Sequence, residues 1–332
     1  MKKHPIFFSF FLLGFKFLLA QDATNYLTVD QSTYTVDQLV EDIIINSSCA
    51  EISNIISSTG SDFGSVNGIG YFSGNDSSFP FSEGLILSTG DAELADGPET
   101  FVQGYYDTIR WDGDTDLTNE IPDHDDSNDA TFIQFDFIPQ ASEISFNFIF
   151  ASEEYGTFQC GYTDAFAFLL TNNQTGQTTN LALVPGTVDP ISVTSVRDSQ
   201  YNSGCESVNE AYYASYYGAG GDNPQDSPTN FIGHSVSIQA QSDVIPNSPY
   251  TIKLVIADYF DSNYDSAVFL EAGSFDLGGN LGEDITIQSG NAICDGGGIT
   301  LDSQSPEANH IWYFNGVETV SYTHLTLPTR LS

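Results

Sequence analysis

Residues 143–170 read EISFNFIFASEEYGTFQCGYTDAFAFLL. Ile144, Phe146, Phe148 and Phe150 fall on one side of a two-residue repeat, with Ser145 and Asn147 on the other. Phe166, Phe168 and Leu170 resume the repeat after a polar loop. A period of two belongs to a β-strand, whose successive side chains point to opposite faces. The same alternation recurs in 131–138 (Ile133, Phe135, Phe137), 235–240 (Val236, Ile238, Ala240), 250–257 (Ile252, Leu254, Ile256) and 267–272. Shorter apolar runs at 69–72, 84–88, 181–184 and 191–196 also read as strands, and Gly, Asn, Asp and Pro punctuate the gaps. One stretch has helical spacing: Leu39, Val40, Ile43 and Ile44 share a face, with Thr35 or Asp37 as the cap. Many short strands without alternating helices give an all-β class, an antiparallel, jelly-roll-like β-sandwich with one short N-terminal helix.

Charge narrows the function. The 332 residues carry 7 Lys and Arg against 45 Asp and Glu, a formal net charge of −38. Such a chain is repelled by nucleic-acid phosphates and by anionic membrane surfaces. At 40% apolar and 13% aromatic residues it still has the material for a core, unlike a disordered acidic tail.

The termini read differently from the centre. Residues 1–20 have the pattern of a secretory signal peptide: Lys2 and Lys3, an apolar run from Ile6 to Phe15, and Ala20 before Gln21. Lys16 interrupts the run, which is shorter than a membrane span, so no span is expected in the mature chain. Residues 21–277 form the main domain, 278–284 (Gly-rich) a linker, and 285–319 the start of a truncated immunoglobulin-like domain, with Cys294 preceding Trp312 and an Asn315-Gly316 turn. Back-translation of VSYTHLTLPT (320–329) gives a transposase end sequence used in preparing sequencing libraries, so 320–332 read as an artefact. Alternation of Tyr322, His324 and Thr326 is the competing strand reading. A C-terminal anchor or sorting signal, and further domains, are then expected beyond the cut.

Export puts Cys49, Cys160, Cys205 and Cys294 in an oxidising compartment. Four cysteines allow three pairings. Cys160–Cys205 is favoured because both fall in loop-like segments of one domain, with Cys49 left open. No cysteine or histidine grouping has zinc spacing.

Acids concentrate where strands end. Glu153 and Glu154 close one strand and Asp164 opens the next; Asp258, Asp261 and Asp265 repeat that arrangement. If each pair of strands is a hairpin, Glu153, Asp164, Asp258 and Asp265, helped by Asp129 or Glu154, meet at one end of the sandwich. Buried like charges demand a compensating cation, and calcium is the hard, oxygen-seeking ion outside cells. Separate solvated turns are the alternative. Asp112, Asp114 and Asp116 form a second candidate calcium loop by their one-three-five spacing. An EF-hand would need Gly at Leu117 and Glu at Asp123, so that motif fails.

Tyr212, Tyr213, Tyr216 and Tyr217, beside a Gly-rich stretch, are candidate glycan contacts, or else rings packed on the sandwich. Catalytic signals are thin: no GxSxG, HExxH or P-loop occurs, and the main domain holds only His124 and His234. Glu153 and Glu154 are adjacent and face opposite ways, a poor glycosidase pair.

In order along the chain, SSCAEISNI (47–55), GIGYF (68–72), FPFSEGLILSTGDA (79–92), FIFASEEYGTFQCGYTDAFAFLL (148–170), NLALVPGTVDPISV (180–193) and IKLVIADYFDSNYDSAVFLEAGSF (252–275) resemble the choice-of-anchor L domain. The resemblance implies a secreted or surface protein of Bacteroidota, often exported by type IX secretion, with no catalytic residues and no settled ligand. The expectation is a non-catalytic extracellular module, calcium-stabilised, for adhesion or for binding a polysaccharide or cell-surface glycan. A carbohydrate-binding module of a larger secreted enzyme is the second reading, and a glycoside hydrolase the third.

Overall fold

In a computed structural model the strands run β1 (Thr28–Asp30), β2 (Glu51–Ser58), β3 (Ile69–Ser73), β4 (Glu83–Ser88), β5 (Ser127–Ile138), β6 (Glu143–Ser152), β7 (Ala165–Asn172), β8 (Gln177–Asn180), β9 (Tyr213–Tyr216), β10 (Gly233–Ser235), β11 (Ile238–Asp243), β12 (Tyr250–Tyr259) and β13 (Ser266–Glu271). The structure describes residues 25–45, 51–104, 110–121, 127–260 and 262–277, and the backbone of four later strands. Residues 1–20, Cys49, Asp123, His124, Asp261, the 278–284 linker and Cys294 lie outside the described residues.

The all-β antiparallel reading holds. One sheet has the order β1-β3-β4-β13-β6-β10-β9, with β11 also on β6; the other has the order β2-β5-β12-β7-β8. Of the later strands, Gly298–Asp302 pairs with His324–Pro328 and Trp312–Phe314 with Val317–Val320, as two separate two-stranded sheets.

The two expected hairpins are not hairpins. β6 pairs with β13 in the larger sheet, whereas β7 pairs with β12 in the smaller. Each connection, 153–164 and 260–265, therefore crosses from one sheet to the other. Alternation reports which face a residue takes, not which sheet its strand joins, so sequence could not separate a hairpin from a crossover.

Between the sheets Ile144, Phe146, Phe148 and Phe150 of β6 meet Phe166, Phe168 and Leu170 of β7, with Ile133, Phe135, Phe137, Ile252, Leu254 and Ile256 in the same core. Phe168 sits edge-on to both Phe146 and Phe148 at 4.9 Å between ring centres. Burying each such ring contributes about 1.5–3 kcal/mol. Part of each outer face is covered too. Ile86, Ile149 and Phe269 pack with Phe72, Phe79 and Phe231 on one side, and Leu117, Ile121 and Leu169 with Val255 on the other. That is why residues of both parities along β6 are apolar after Asn147.

The N-terminal helix, α1 (Val36–Gln38), starts as read. Thr35 Oγ1 accepts from Gln38 N and Gln38 Oε1 from Thr35 N, a capping box; the chain then continues as a π-helix over Leu39–Ile45. A second helix, α2 (Thr115–Glu120), was not expected. The runs 181–184 and 191–196 are loop, joined only by the isolated bridge Leu183↔Pro190. Strands β1, β2, β8 and β9 escaped the pattern because they are short or largely exposed.

Cys160 and Cys205 are disulfide-bonded, as favoured, with Cα atoms 5.5 Å apart. The bridge ties the 153–164 crossover to a loop that Arg197 also holds, through Nη1 to the carbonyls of Thr194 (2.8 Å) and Gln159 (3.2 Å). Closing a 45-residue separation should contribute about 4 kcal/mol by restricting the unfolded chain. Replacing both cysteines by serine should therefore lower the unfolding free energy by about that amount in denaturant titrations. An unchanged midpoint would show that the bridge contributes nothing.

Candidate metal centre

Five strand ends meet at one end of the sandwich. The start of β13 lies against the end of β6 (Ser266↔Ser152), and the start of β7 against the end of β12 (Ala165↔Ala257). β5 begins there as well, Ser127 opposite Tyr259. Antiparallel pairing thus delivers what the hairpins were expected to deliver. All six expected ligands are at this end and buried: Asp129, Glu153, Glu154, Asp164, Asp258 and Asp265.

Their partners differ. Asp129 Oδ1 accepts from Trp111 N (2.7 Å), Glu154 Oε2 from Asp164 N (2.8 Å), and Glu153 Oε1 from Gln103 N (3.3 Å). Among the described residues, Asp258 Oδ1 and Glu153 Oε2 have no hydrogen-bond partner. Burial raises the Asp258 carboxyl well above the ordinary range, and the charges of Asp164, Asp265 and Asp129 raise it further. Glu153 is raised in the same way, by burial first and then by Glu99 and Asp265.

Glu99 is the acid that sequence reading missed. It lies in the loop after a cis Gly97–Pro98 bond, and burial pushes its carboxyl up to about 7. No strand ends near it in sequence, so period and spacing gave no signal. Only the fold brings 97–104 beside β6.

The six acids do not form one tight ligand set. Among the described residues no group of three or more His, Cys, Asp or Glu side chains is placed to hold a metal ion. Any ion here would take fewer carboxylates and complete its shell with amide or backbone oxygens, which calcium accepts.

The backbone is shaped to the acids. A Cβ on Gly90 would collide with Asp265 Oδ2, and one on Gly104 with Oδ1. Asp129, Phe260 and Tyr264 have positive φ (52°, 74° and 69°), whereas the other such non-glycines described are Asn or Asp. Bulky aromatics in that region are strained, and such strain collects at functional sites.

The second candidate loop is differently occupied. Asp114 caps α2, accepting from Asp116 N and Leu117 N at 3.0 Å, and Lys253 Nζ lies 2.6 Å from both Asp114 and Asp116. Asp112 sits in a bridge to Asn128. An ammonium already compensates this pair, so spacing alone misread the loop.

For the tyrosines the structure matches the alternative of rings packed on the sandwich. Tyr216 and Tyr217 are buried, and Tyr213 packs on Tyr155 and Tyr201 at 4.7 and 5.8 Å. Tyr212 is half-buried against the same core. These rings build the sandwich wall, since a Gly-rich stretch lets the chain press them inward. His234 is buried with Nδ1 at 2.9 Å from Ser235 O, and burial lowers its affinity for a proton, which suits a core residue.

A groove of about 810 Å³ runs along edge strand β8 and the loop that follows it. Thr178, Thr179, Asn180, Val188, Pro190 and Ser192 line it, as does Asp164. Asn180 Oδ1 accepts from Phe168 N (3.1 Å) and Ala182 N (2.9 Å), while its Nδ2 has no partner. No helix of the described residues is long and apolar enough to cross a membrane.

A family model, the Choice-of-anchor L domain, matches residues 28–276. Comparison with curated proteins and with solved structures finds no match.

The fit of backbone to carboxylate is testable. Gly90→Ala should destabilise the fold by about 1–3 kcal/mol, because the added Cβ has to displace the buried Asp265 carboxylate. Gly161→Ala, with open space around it, should stay within about 0.5 kcal/mol. Equal denaturation midpoints for the two variants would refute the close approach.

Proposed function

The chain belongs to the choice-of-anchor L family, and on that premise we propose that it is a surface-associated, non-catalytic module stabilised by calcium and used for adhesion. The family is one of surface or secreted proteins and is not a known enzyme family. Asp258 carries the calcium reading: a fully buried carboxylate with a partnerless oxygen, repelled by Asp164, Asp265 and Asp129. In water each would be solvated; together in a dry corner they need protons or a cation. An exported chain meets calcium at concentrations that favour the cation. Asp258 would hold the ion with Asp164 or Asp265 and with neutral oxygens around them.

For the ligand we propose a polysaccharide or cell-surface glycan in the groove beside β8. The support is the polar lining of the groove, where Thr178, Thr179 and Ser192 supply hydroxyls beside the apolar Val188 and Pro190. With no aromatic ring in the groove lining, recognition would run through hydrogen bonds rather than ring stacking.

Calcium binding only the native state stabilises it by mass action. Chelation at pH 8 should lower the melting temperature, and Asp258→Asn should remove most of that dependence. The sign with pH follows from raised carboxyl pKa values. Folded Asp258 and Glu153 hold protons that the unfolded chain has lost, so the metal-free protein gains stability as pH falls toward the ordinary carboxylate range. The chelator effect should therefore shrink at pH 5. A melting temperature indifferent to chelator at pH 8 would refute the calcium reading.

Thr179→Arg places a long side chain in the groove from edge strand β8. If the groove is the ligand surface, the wild-type chain should be retained on insoluble polysaccharides or a glycan array and this variant should not. Equal retention would move the ligand elsewhere.

A further inference from the structure

A second set of oxygens lacks partners, on the 97–104 loop and at the end of β6. Glu99 Oε2, Gln103 Oε1 and Glu153 Oε2 are all buried, and none has a hydrogen-bond partner among the described residues. Gln103 joins the other two: it lies in the loop that carries Glu99, and its backbone N donates to Glu153 Oε1 at 3.3 Å.

Asn230 holds that loop still. Its Oδ1 accepts from Thr100 N (2.8 Å), its Nδ2 donates to Leu94 O (3.0 Å), and its own carbonyl accepts from Gln103 Nε2 (2.6 Å). The last bond fixes which way the Gln103 amide lies. Its nitrogen is engaged by an acceptor, so the atom left over is an oxygen. Gln103 is 1% exposed, so an unsatisfied amide oxygen there costs about 1–3 kcal/mol. What the three atoms lack is a donor or a positive charge. The described basic residues are engaged elsewhere, Lys253 with Asp114 and Asp116, Arg197 with loop carbonyls and Arg110 with Ser262.

We propose that Glu99, Gln103 and Glu153 form a divalent-cation site, with calcium as its ion, separate from the one at Asp258. Two carboxylates neutralise the ion, and an amide oxygen is an ordinary calcium ligand. A site with two acids and one amide is not a group of three acidic or histidine ligands, so it is compatible with the absence of such a group among the described residues. Mutual repulsion between Glu153 and Glu99 gives the pair a reason to recruit a cation. A site of this kind would also pin the 97–104 loop to the end of β6.

The site is tested by calorimetric titration of the chelator-treated full chain with calcium alone. Two bound ions are expected. Glu99→Gln should weaken one of them at least tenfold and leave the other, whereas Asp258→Asn should do the reverse. Because glutamine keeps the shape and supplies an N–H, Glu99→Gln should fold without calcium, and its melting curve checks this. If only the Glu99-dependent ion is found, this site stands and the one at Asp258 fails. If Glu99→Gln binds as many ions as the wild type with unchanged affinity, or if the wild type binds none, the three oxygens are served by protons or buried water and the proposal is overturned.

Discussion

A carboxylate removed from water has to be matched by a donor, a proton or a cation, and at one end of this sandwich six acids are removed together. That demand organises the surrounding chain. Trp111 N, Asp164 N and Gln103 N are turned toward carboxylate oxygens. Glycine stands at positions 90 and 104, where Asp265 leaves no room for a Cβ. The left-handed backbone of Phe260 and Tyr264 occurs in the crossover that carries these acids from one sheet to the other. Backbone donors serve some of the oxygens. Asp258 Oδ1, Glu153 Oε2 and Glu99 Oε2 are among those they do not reach.

The sandwich can bear this cost because its core is large and dry. Each sheet has a second apolar cluster on part of its outer face, and the phenylalanines of β6 and β7 interlock between the sheets. The two crossovers span the same core, so their acids arrive at the same end as a consequence of topology. The disulfide between Cys160 and Cys205 restrains one crossover, and the Asn230 clamp restrains the 97–104 loop opposite. Packing thus holds like charges together that would otherwise separate, which is the arrangement a cation site requires.

The fold class was legible because a Phe at every second position leaves little room for another reading. Which sheet each strand joins was not legible, since Phe148 and Phe166 carry the same alternation whether their strands pair or face each other. The convergence of Glu153, Asp164, Asp258 and Asp265 survived that error, because crossing strands and hairpins both put their tips at one end. Glu99 was hidden, being placed by a loop rather than a strand end. Asp112, Asp114 and Asp116 misled because spacing cannot reveal that Lys253, far along the chain, reaches two of them. The tyrosines allowed two readings for a similar reason: Gly-rich surroundings mark a pliant loop, and here the loop folds inward onto Tyr155.

Whether a cation compensates the buried acids is decided most directly by a crystal structure of the chain grown with millimolar calcium. The expected result is an ion at about 2.3–2.6 Å from an oxygen of Asp258, its shell completed by a neighbouring carboxylate and by neutral oxygens. Carboxylates hydrogen-bonded to one another as acids, or to ordered water with no ion between them, would contradict it.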